Sequence, residues 1–572
     1  MNRFFLFSII LAFLSIACDP IDSDSNNASD ASVNNSNNTN NTLNNINNQS
    51  DGGQDVESDS GTINPAWWQE DELGRQTEGN ILGSDEGELV IVTTQALAET
   101  WTVYAGIKTG EGIFTEVVTV ESIVSNYPGA DDAEKVRNFL IERYNNGSLR
   151  FVLMGGDAGH VPFRRVENYI YATEEFTSNG PSQLYFSNLS ADFDADGDGI
   201  YGEMNDDLTL EQSRQTNIAV GRISVSNTEE IENYIQKYIA YVTVPQGRIT
   251  FPLLLSDIAS TVPLIGDVDA AEGVEVTFDA FFPDIFHQNV RKLYATQSAA
   301  DLYDGEIISV QKVHDALSDG YGMVFHNGHG AHRWITDILN SDFVNSLDNT
   351  IPPVMASCAC LSGNFADKAS SSTFDGWQLQ GENEDSAAEL FINSPHGGVA
   401  YIGNTGTGLG PIGGSQFLHA FYKGIFEEGL VYIGESFNYG RSNFRSIDYS
   451  LAWIPVTMTD DSEWWTSHVI ILLGDPSLRI WTMNFERIYL ETPLKYGPGY
   501  NELTVTVKDV NGSPLEGIWV TASKGTDFII KNTSDSDGKV TFRFVPDGPG
   551  NINITASSEN YFSTVVKITP DI

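Results

Sequence analysis

Several segments of this chain share one plan: a short run of consecutive apolar residues that stops at glycine or at small polar residues. They are residues 88–94 (ELVIVTT), 150–154 ahead of Gly155-Gly156-Asp157, 251–255, 322–326, 353–356 and 398–402. A strand whose apolar residues do not alternate is buried on both faces, and such strands belong to parallel sheets covered by helices on either side. Between the first runs lie residues 95–107, of helical character, the strand-like 115–120, and 131–145, in which Ala133, Val136, Phe139, Leu140 and Tyr144 recur at helical spacing. Strand, helix, strand, helix, strand implies a parallel α/β sheet, which places ligands and catalytic groups at the carboxyl ends of its strands, where the glycine-rich turns fall. At 572 residues the chain is too long for one core, and its 41% hydrophobic content fills two or three. We expect an N-terminal α/β subdomain over 81–245 and a second over 246–484.

After residue 484 the runs become short and alternating, at 502–508, 518–523 and 539–544, with Asn-Gly and Asp-Gly turns between them. This predicts an immunoglobulin-like β-sandwich over 485–572. At the other end, Arg3 and the apolar stretch 4–16 precede Ala17-Cys18, the pattern of a bacterial export signal too short to span a bilayer. Leu14-Ser15-Ile16-Ala17-Cys18 resembles a lipoprotein processing site, although the leucine stands four positions before the cysteine rather than three. Either Cys18 carries a lipid anchor or ordinary cleavage occurs nearby; both take the protein out of the cytoplasm, to the outer membrane or cell surface or into the medium. Residues 19–80, rich in Asn, Ser, Asp and Thr, cannot offset their ordering entropy by burial and read as a flexible tether. Acidic residues outnumber basic ones 78 to 30, a formal charge of -48, which repels phosphate backbones and argues against nucleic acid as a partner.

There are three cysteines, and if Cys18 is lipidated only Cys358 and Cys360 remain as thiols. Cysteines one residue apart on a strand have Cα atoms roughly 6.5–7 Å apart, at the limit of disulfide reach, so an exported protein that keeps them suggests a reactive thiol. Upstream, Phe325-His326-Asn327-Gly328-His329-Gly330-Ala331-His332 follows an apolar run. Three histidines would converge on zinc only from a helix, which the two glycines oppose; a structural turn or a catalytic histidine are the other readings. Glycines on both sides of His329 permit close approach to a substrate, and imidazole is the usual base for a thiol. Cys360 lies at a strand end and 360 − 329 = 31 residues after that histidine, about one strand-helix-strand step. Neighbouring strand ends then present imidazole and thiol side by side.

The segment Asp192-Phe193-Asp194-Ala195-Asp196-Gly197-Asp198-Gly199-Ile200-Tyr201-Gly202-Glu203 gathers carboxylates around one point, which suits a structural calcium ion or else a solvated acidic loop. Asp192, Asp194, Asp196, Asp198 and Glu203 are the candidate ligands. Two registers fit: from Asp192, Gly197 is sixth and Glu203 twelfth; from Asp194, Gly199 is sixth and Asn205 twelfth. No helix pair flanks it.

With these residues in view, the chain resembles the gingipain-type cysteine peptidases, related in fold to caspases and legumain, over residues 82–481. The likeness rests on the Gly328-His329-Gly330 turn, on Ala359-Cys360-x-x-Gly363-x-Phe365, and on Ser386-Ala387-Ala388-Glu389 ahead of the run at 398–402. Met154-Gly155-Gly156-Asp157 through Val161-Pro162, Ala219-Val220-Gly221-Arg222 and Leu473-Gly474-Asp475-Pro476-Ser477-Leu478 add to it. The resemblance implies a caspase-like fold and a cysteine endopeptidase acting on protein or peptide substrates. It makes Cys360 the nucleophile, His329 the base, and the backbone N–H groups of Gly330 and Cys360 the oxyanion hole. Cys360 is preferred to Cys358 because Gly363 and Phe365 stand at the family offsets from it, whereas Cys358 would have Leu361 where the glycine belongs. Glu389 and Arg222 fit positions better explained by buried ion pairing, and 474–478 reads as a structural turn. No third catalytic residue is assigned, the carboxylates between 173 and 185 being candidates. Residues 403–414 (GNTGTGLGPIGG) lack the aromatic residue that members cutting after Arg or Lys place there. The competing function is a catalytically silent, calcium-stabilised adhesin or scaffold on the same fold.

Overall fold

The apolar runs do become buried strands. The computed structural model describes residues 80–81, 88–147, 149–169, 177–243, 251–262, 266–336, 338–366, 385–447, 450–451, 454–455, 457–482, 486–524, 528–558 and 561–571. The export signal, Cys18 and all but the last residue of the tether lie outside the described residues. Among the described residues no helix is long and apolar enough to cross a membrane.

The sheet that carries the site has eleven strands. In chain order they are Leu89–Thr93 (β1), Thr115–Thr119 (β2), Phe151–Gly155 (β3), Ala219–Ile223 (β4), Pro252–Ser256 (β5), Arg291–Tyr294 (β6), Glu306–Ile307 (β7), Met323–Asn327 (β8), Val354–Ser357 (β9), Ala400–Asn404 (β10) and Ile470–Gly474 (β11). Their spatial order is β7-β6-β5-β8-β9-β10-β11-β4-β3-β1-β2. Neighbours are parallel except β10 and β11, which are antiparallel, while β11 is parallel to β4. The two expected halves therefore share one sheet, but their strands run in opposite senses. The carboxyl ends of β1, β3 and β4 emerge at the edge opposite to those of β5, β8 and β9. The Gly155-Gly156-Asp157 turn, on sequence grounds one of the places for chemistry, thus belongs to the other edge from the His329 and Cys360 turns.

Helices cover the sheet because their apolar stripes need that surface. Asp132–Asn146 buries Val136, Phe139 and Leu140 and starts at Asp131, whose carboxylate accepts from the Glu134 N–H at 2.9 Å. Ala98–Gly110 buries Trp101 and Tyr104. The turn 474–478 is structural: fully buried Asp475 accepts from the Tyr104 hydroxyl at 2.6 Å and the Ser477 N–H at 2.8 Å, and pairs with Lys108 at 3.1 Å. That satisfies a carboxylate which would otherwise be costly in the core.

Beyond residue 486 two smaller sheets enclose a core of their own, with Val505, Val507, Val520, Phe542, Ile554 and Ile568 inside. One contains Tyr489–Glu491, Asn501–Lys508 and Lys539–Phe544. The other is built on Trp519–Lys524, Phe528–Thr533, Ile552–Ser557 and Thr564–Pro570, and Asn80–Ile81 adds to its edge beside Phe528–Thr533. The tail rests on the large sheet's helices: Ser557 Oγ donates to the Glu111 carbonyl at 2.7 Å, and Trp481 meets Phe562 with ring centroids 5.6 Å apart.

Candidate active site

Three adjacent strands, β5, β8 and β9, end together, with His326 facing Leu255 on one side and Ser357 on the other in register. The residues that follow these strands are Asp257, the 328–330 turn and Cys360. Glycine is required where the turns meet. A Cβ on Gly330 would lie 2.7 Å from Ala359 Cβ and 3.4 Å from the Cys360 carbonyl, so the turn carrying His329 sits directly on the turn carrying Cys360. A Cβ on Gly328 would come within 2.6 Å of Asp257 Cβ and 2.8 Å of His326 Nε2.

Cys360 is 2% exposed, and its sulfur accepts the Gly408 N–H at 3.3 Å. The next residue, Leu361, has φ +56°, an uncommon conformation for a residue with a side chain, held by its N–H donating to the Gly406 carbonyl at 2.9 Å. From the end of β10, Asn404 Nδ2 donates to the carbonyls of Cys358 (3.1 Å) and Ala359 (3.2 Å), pinning the turn from below. Cys358 has a different environment. Its thiol lies 3.7 Å from Ser415 Oγ at the start of helix Gly414–Phe426, and burial pushes its pKa up to about 12. A thiol so hard to ionise is a poor nucleophile.

Asp257 was not singled out by the sequence. Burial raises its pKa, opposed by the Ile258 N–H at 2.7 Å, the charge of His329, the Thr336 hydroxyl at 3.1 Å and the His329 N–H. A partly buried carboxylate that accepts from the backbone of the histidine and feels its charge is suited to orient an imidazole and stabilise an imidazolium. The signal was available, since Asp257 follows the strand run at 251–255. Glu174 and Glu175, the carboxylates of the 173–185 stretch, lie outside the described residues.

Both ring nitrogens of His326 are engaged, Nδ1 with Ser357 Oγ at 2.8 Å and Nε2 with Thr336 Oγ1 at 3.0 Å, which leaves it no lone pair for a metal. Two clusters of potential metal-ligand side chains occur among the described residues, and neither contains a histidine: Asp194, Asp196 and Asp207, and Asp196, Asp198 and Glu203. Asp192 is in neither; its carboxylate accepts from the Asp194 N–H at 3.2 Å. Asp207, which the sequence spacing missed, accepts from the N–H groups of Gly202 at 2.8 Å and Glu203 at 3.2 Å and from that of Ala195. Glu203 has its pKa raised to about 7 by burial and by the charges of Asp198, Glu167, Asp207 and Asp196.

Five residues past Cys360, the Phe365 ring centroid lies 4.4 Å from the Arg222 guanidinium. The guanidinium's hydrogen bonds run to the carbonyls of Gly156 (2.6 Å), Val161 (3.2 Å) and Pro162 (3.0 Å). Burial lowers its pKa to about 9, with Asp157 and Glu389 opposing through their charges. The expected Arg222 ion pair is therefore a cage of carbonyls within the field of those carboxylates. Glu389 accepts from Ser224 Oγ at 2.6 Å and, as the N3 residue of a capping box, from the Ser386 N–H at 2.8 Å.

A Cβ on Gly408 would meet the Cys358 carbonyl at 2.1 Å, so Gly408→Ala must displace the loop over Cys360 from the thiol. We expect a loss of about 1–3 kcal/mol in stability and a changed rate of Cys360 alkylation, checked by denaturant melts and iodoacetamide kinetics.

Residues 83–481 match the family model described as Peptidase family C25. An uncharacterized protein of Archaeoglobus fulgidus is 26% identical over 349 residues, 57% of this chain and 77% of its own length. Among solved structures, the Arg-specific cysteine proteinase gingipain R (RgpB) superposes with a TM-score of 0.61 at 16% identity, covering 86% of this chain and all (100%) of that one. The complex of Porphyromonas gingivalis RgpB pro- and mature domains gives 0.57 at 16% identity, over 85% of this chain and 100% of that chain. A structure described only as a protease gives 0.60 at 13%, over 86% and 98% of the two chains. These structural likenesses concern the fold. Because the family model spans most of the chain, the protein belongs to the gingipain family of cysteine peptidases, peptidase family C25.

Proposed function

We propose that this protein is an exported cysteine endopeptidase in which Cys360 is the nucleophile, His329 the general base and acid, and Asp257 the group that orients His329. The observation that carries the reading is the meeting of the His329-Gly330 turn with the Ala359-Cys360 turn, with Asp257 supplied by the third adjacent strand. His329 takes the thiol proton, and the thiolate attacks the peptide carbonyl carbon. The oxyanion so formed faces the N–H groups of Gly330 and Cys360. The imidazolium protonates the leaving amine as the C–N bond breaks, and a thioester remains. Water, deprotonated by His329, attacks the thioester, and the released thiolate recovers its proton. Peptide-library hydrolysis by the purified chain with calcium and a reductant tests this. Cleavage is expected; an intact, calcium-loaded fold that cleaves nothing would favour the silent scaffold.

The acidic loop supports a structural calcium site. Its donors are carboxylate oxygens, the hard ligands calcium takes, with Asp194, Asp196 and Asp207 on one side and Asp196, Asp198 and Glu203 on the other. A divalent cation would relieve the repulsion from neighbouring carboxylates that adds to burial in raising Glu203. Calcium should then raise the melting temperature and EDTA reverse the gain. Without calcium the sign of the pH dependence is fixed: a carboxyl whose folded pKa exceeds its unfolded value stabilises the fold at low pH, and that stability is lost as pH rises through about 7. Scanning calorimetry between about pH 5 and pH 8, with and without calcium, measures both; identical melts would contradict the site.

Export rests on the apolar stretch 4–16 and Ala17-Cys18, with Cys18 the proposed lipid anchor to an outer membrane or cell surface. The two-sheet tail is proposed as an immunoglobulin-type sandwich serving export or attachment.

A further inference from the structure

We infer that His326, Thr336 and Ser357 form a buried brace that fixes the distance between the turn carrying Cys360 and the turn carrying His329, so that His326 and Thr336 are positioning residues for the reaction. The inference rests on the Cys360–His329 reading above.

The protons of this network can be placed one by one. Thr336 Oγ1 has a single hydrogen and two acceptors that can only accept, Asp257 Oδ2 at 3.1 Å and the His329 carbonyl at 3.2 Å. Its hydrogen is committed to them, so it must accept from His326 Nε2, 3.0 Å away. The imidazole is neutral, since complete burial lowers its pKa to about 3, with the charge of His329 acting in the same direction. With its one hydrogen on Nε2, Nδ1 accepts from Ser357 Oγ at 2.8 Å, and Ser357 Oγ in turn accepts the Ala359 N–H at 3.1 Å. The chain runs without a break from the backbone beside the nucleophile to the backbone of the base and to Asp257.

Two further features set this network apart from ordinary core filling. Thr336 has φ +42°, a conformation that β-branched residues rarely adopt, and its hydroxyl lies between Asp257 and His326. His326 is fully buried, and in the same strand register it faces Ser357 across β8 and β9. A neutral donor-acceptor ring can span the two strand ends, whereas an apolar side chain would leave Ser357 and Thr336 without that partner.

The test uses Thr336→Val, which keeps shape and branching but removes the hydroxyl, Thr336→Ser, which keeps the hydroxyl, and Ser357→Ala, which breaks the far end. Peptide hydrolysis is resolved into kcat and KM, and alkylation of Cys360 by iodoacetamide is followed by mass spectrometry. The brace predicts that Thr336→Val and Ser357→Ala lower kcat about tenfold or more with KM within about twofold, that Cys360 alkylation slows in parallel, and that Thr336→Ser stays within about threefold of wild type. A purely structural role would move melting temperature but not kcat. Wild-type kcat in folded Ser357→Ala, or equal losses in the valine and serine variants, would overturn the brace. If Cys360→Ala retained cleavage, the peptidase reading itself would fail, and the alkylation rates would still report whether Thr336 and Ser357 govern the thiol.

Discussion

Cys360→Ala should reduce peptide hydrolysis by at least about a thousandfold, whereas Cys358→Ala should leave it within about threefold. The two thiols stand one residue apart and are both buried, so exposure does not separate them. Their surroundings do. Cys360 receives the Gly408 N–H, and its turn lies against Gly330 beside His329. Cys358 faces Ser415, and burial raises its pKa to about 12. Steady-state rates on one peptide substrate, with circular dichroism to confirm folding, check the pair. Comparable losses in both variants would mean that the turn and not the thiol had been tested.

Asp257→Asn should lower kcat by about 10²- to 10⁴-fold and at the same time raise the melting temperature at neutral pH. In the proposed mechanism the activity loss comes from removing a charge that acts on His329 and would stabilise its protonated form. The stability gain follows from sign. Burial raises the folded pKa of Asp257 above its unfolded value, so its ionised form at neutral pH is a cost to the fold that the neutral amide does not carry. For the same reason the wild-type protein should lose the contribution of this group as pH rises through that folded pKa. A variant that lost stability and kept its rate would make Asp257 a structural residue.

Much of the placement of the candidate site was legible in the sequence because it depends on local signals. Apolar runs ending in glycine or small polar residues mark β8 and β9, and parallel pairing of those neighbours brings the two turns together whatever else the sheet does. Asp257 depended instead on β5 being the next strand, a pairing between distant segments that leaves no mark beyond one aspartate after an apolar run. Asp207 escaped for a similar reason. It lies four residues past Glu203, outside the alternating aspartates, and enters the cluster only because the loop turns back on three backbone N–H groups. The opposed senses of the two halves rest on the single antiparallel pair β10–β11, whose strands are as uniformly buried as the parallel ones. Residue pattern alone does not encode which way such a strand runs. Arg222, at a position the family resemblance picks out, was expected in a buried ion pair, but the carbonyls of the 156–162 turn take its donors.

The central claim, covalent catalysis by Cys360, is tested most directly by trapping the intermediate. The purified chain, with calcium and reductant, is mixed with a cleavable peptide and quenched in acid within the first turnover, and the digested protein is read by tandem mass spectrometry. The account predicts the acyl half of the peptide joined as a thioester to Cys360, absent from Cys358 and absent in His329→Ala. Product formation with no acyl adduct on Cys360 would contradict it.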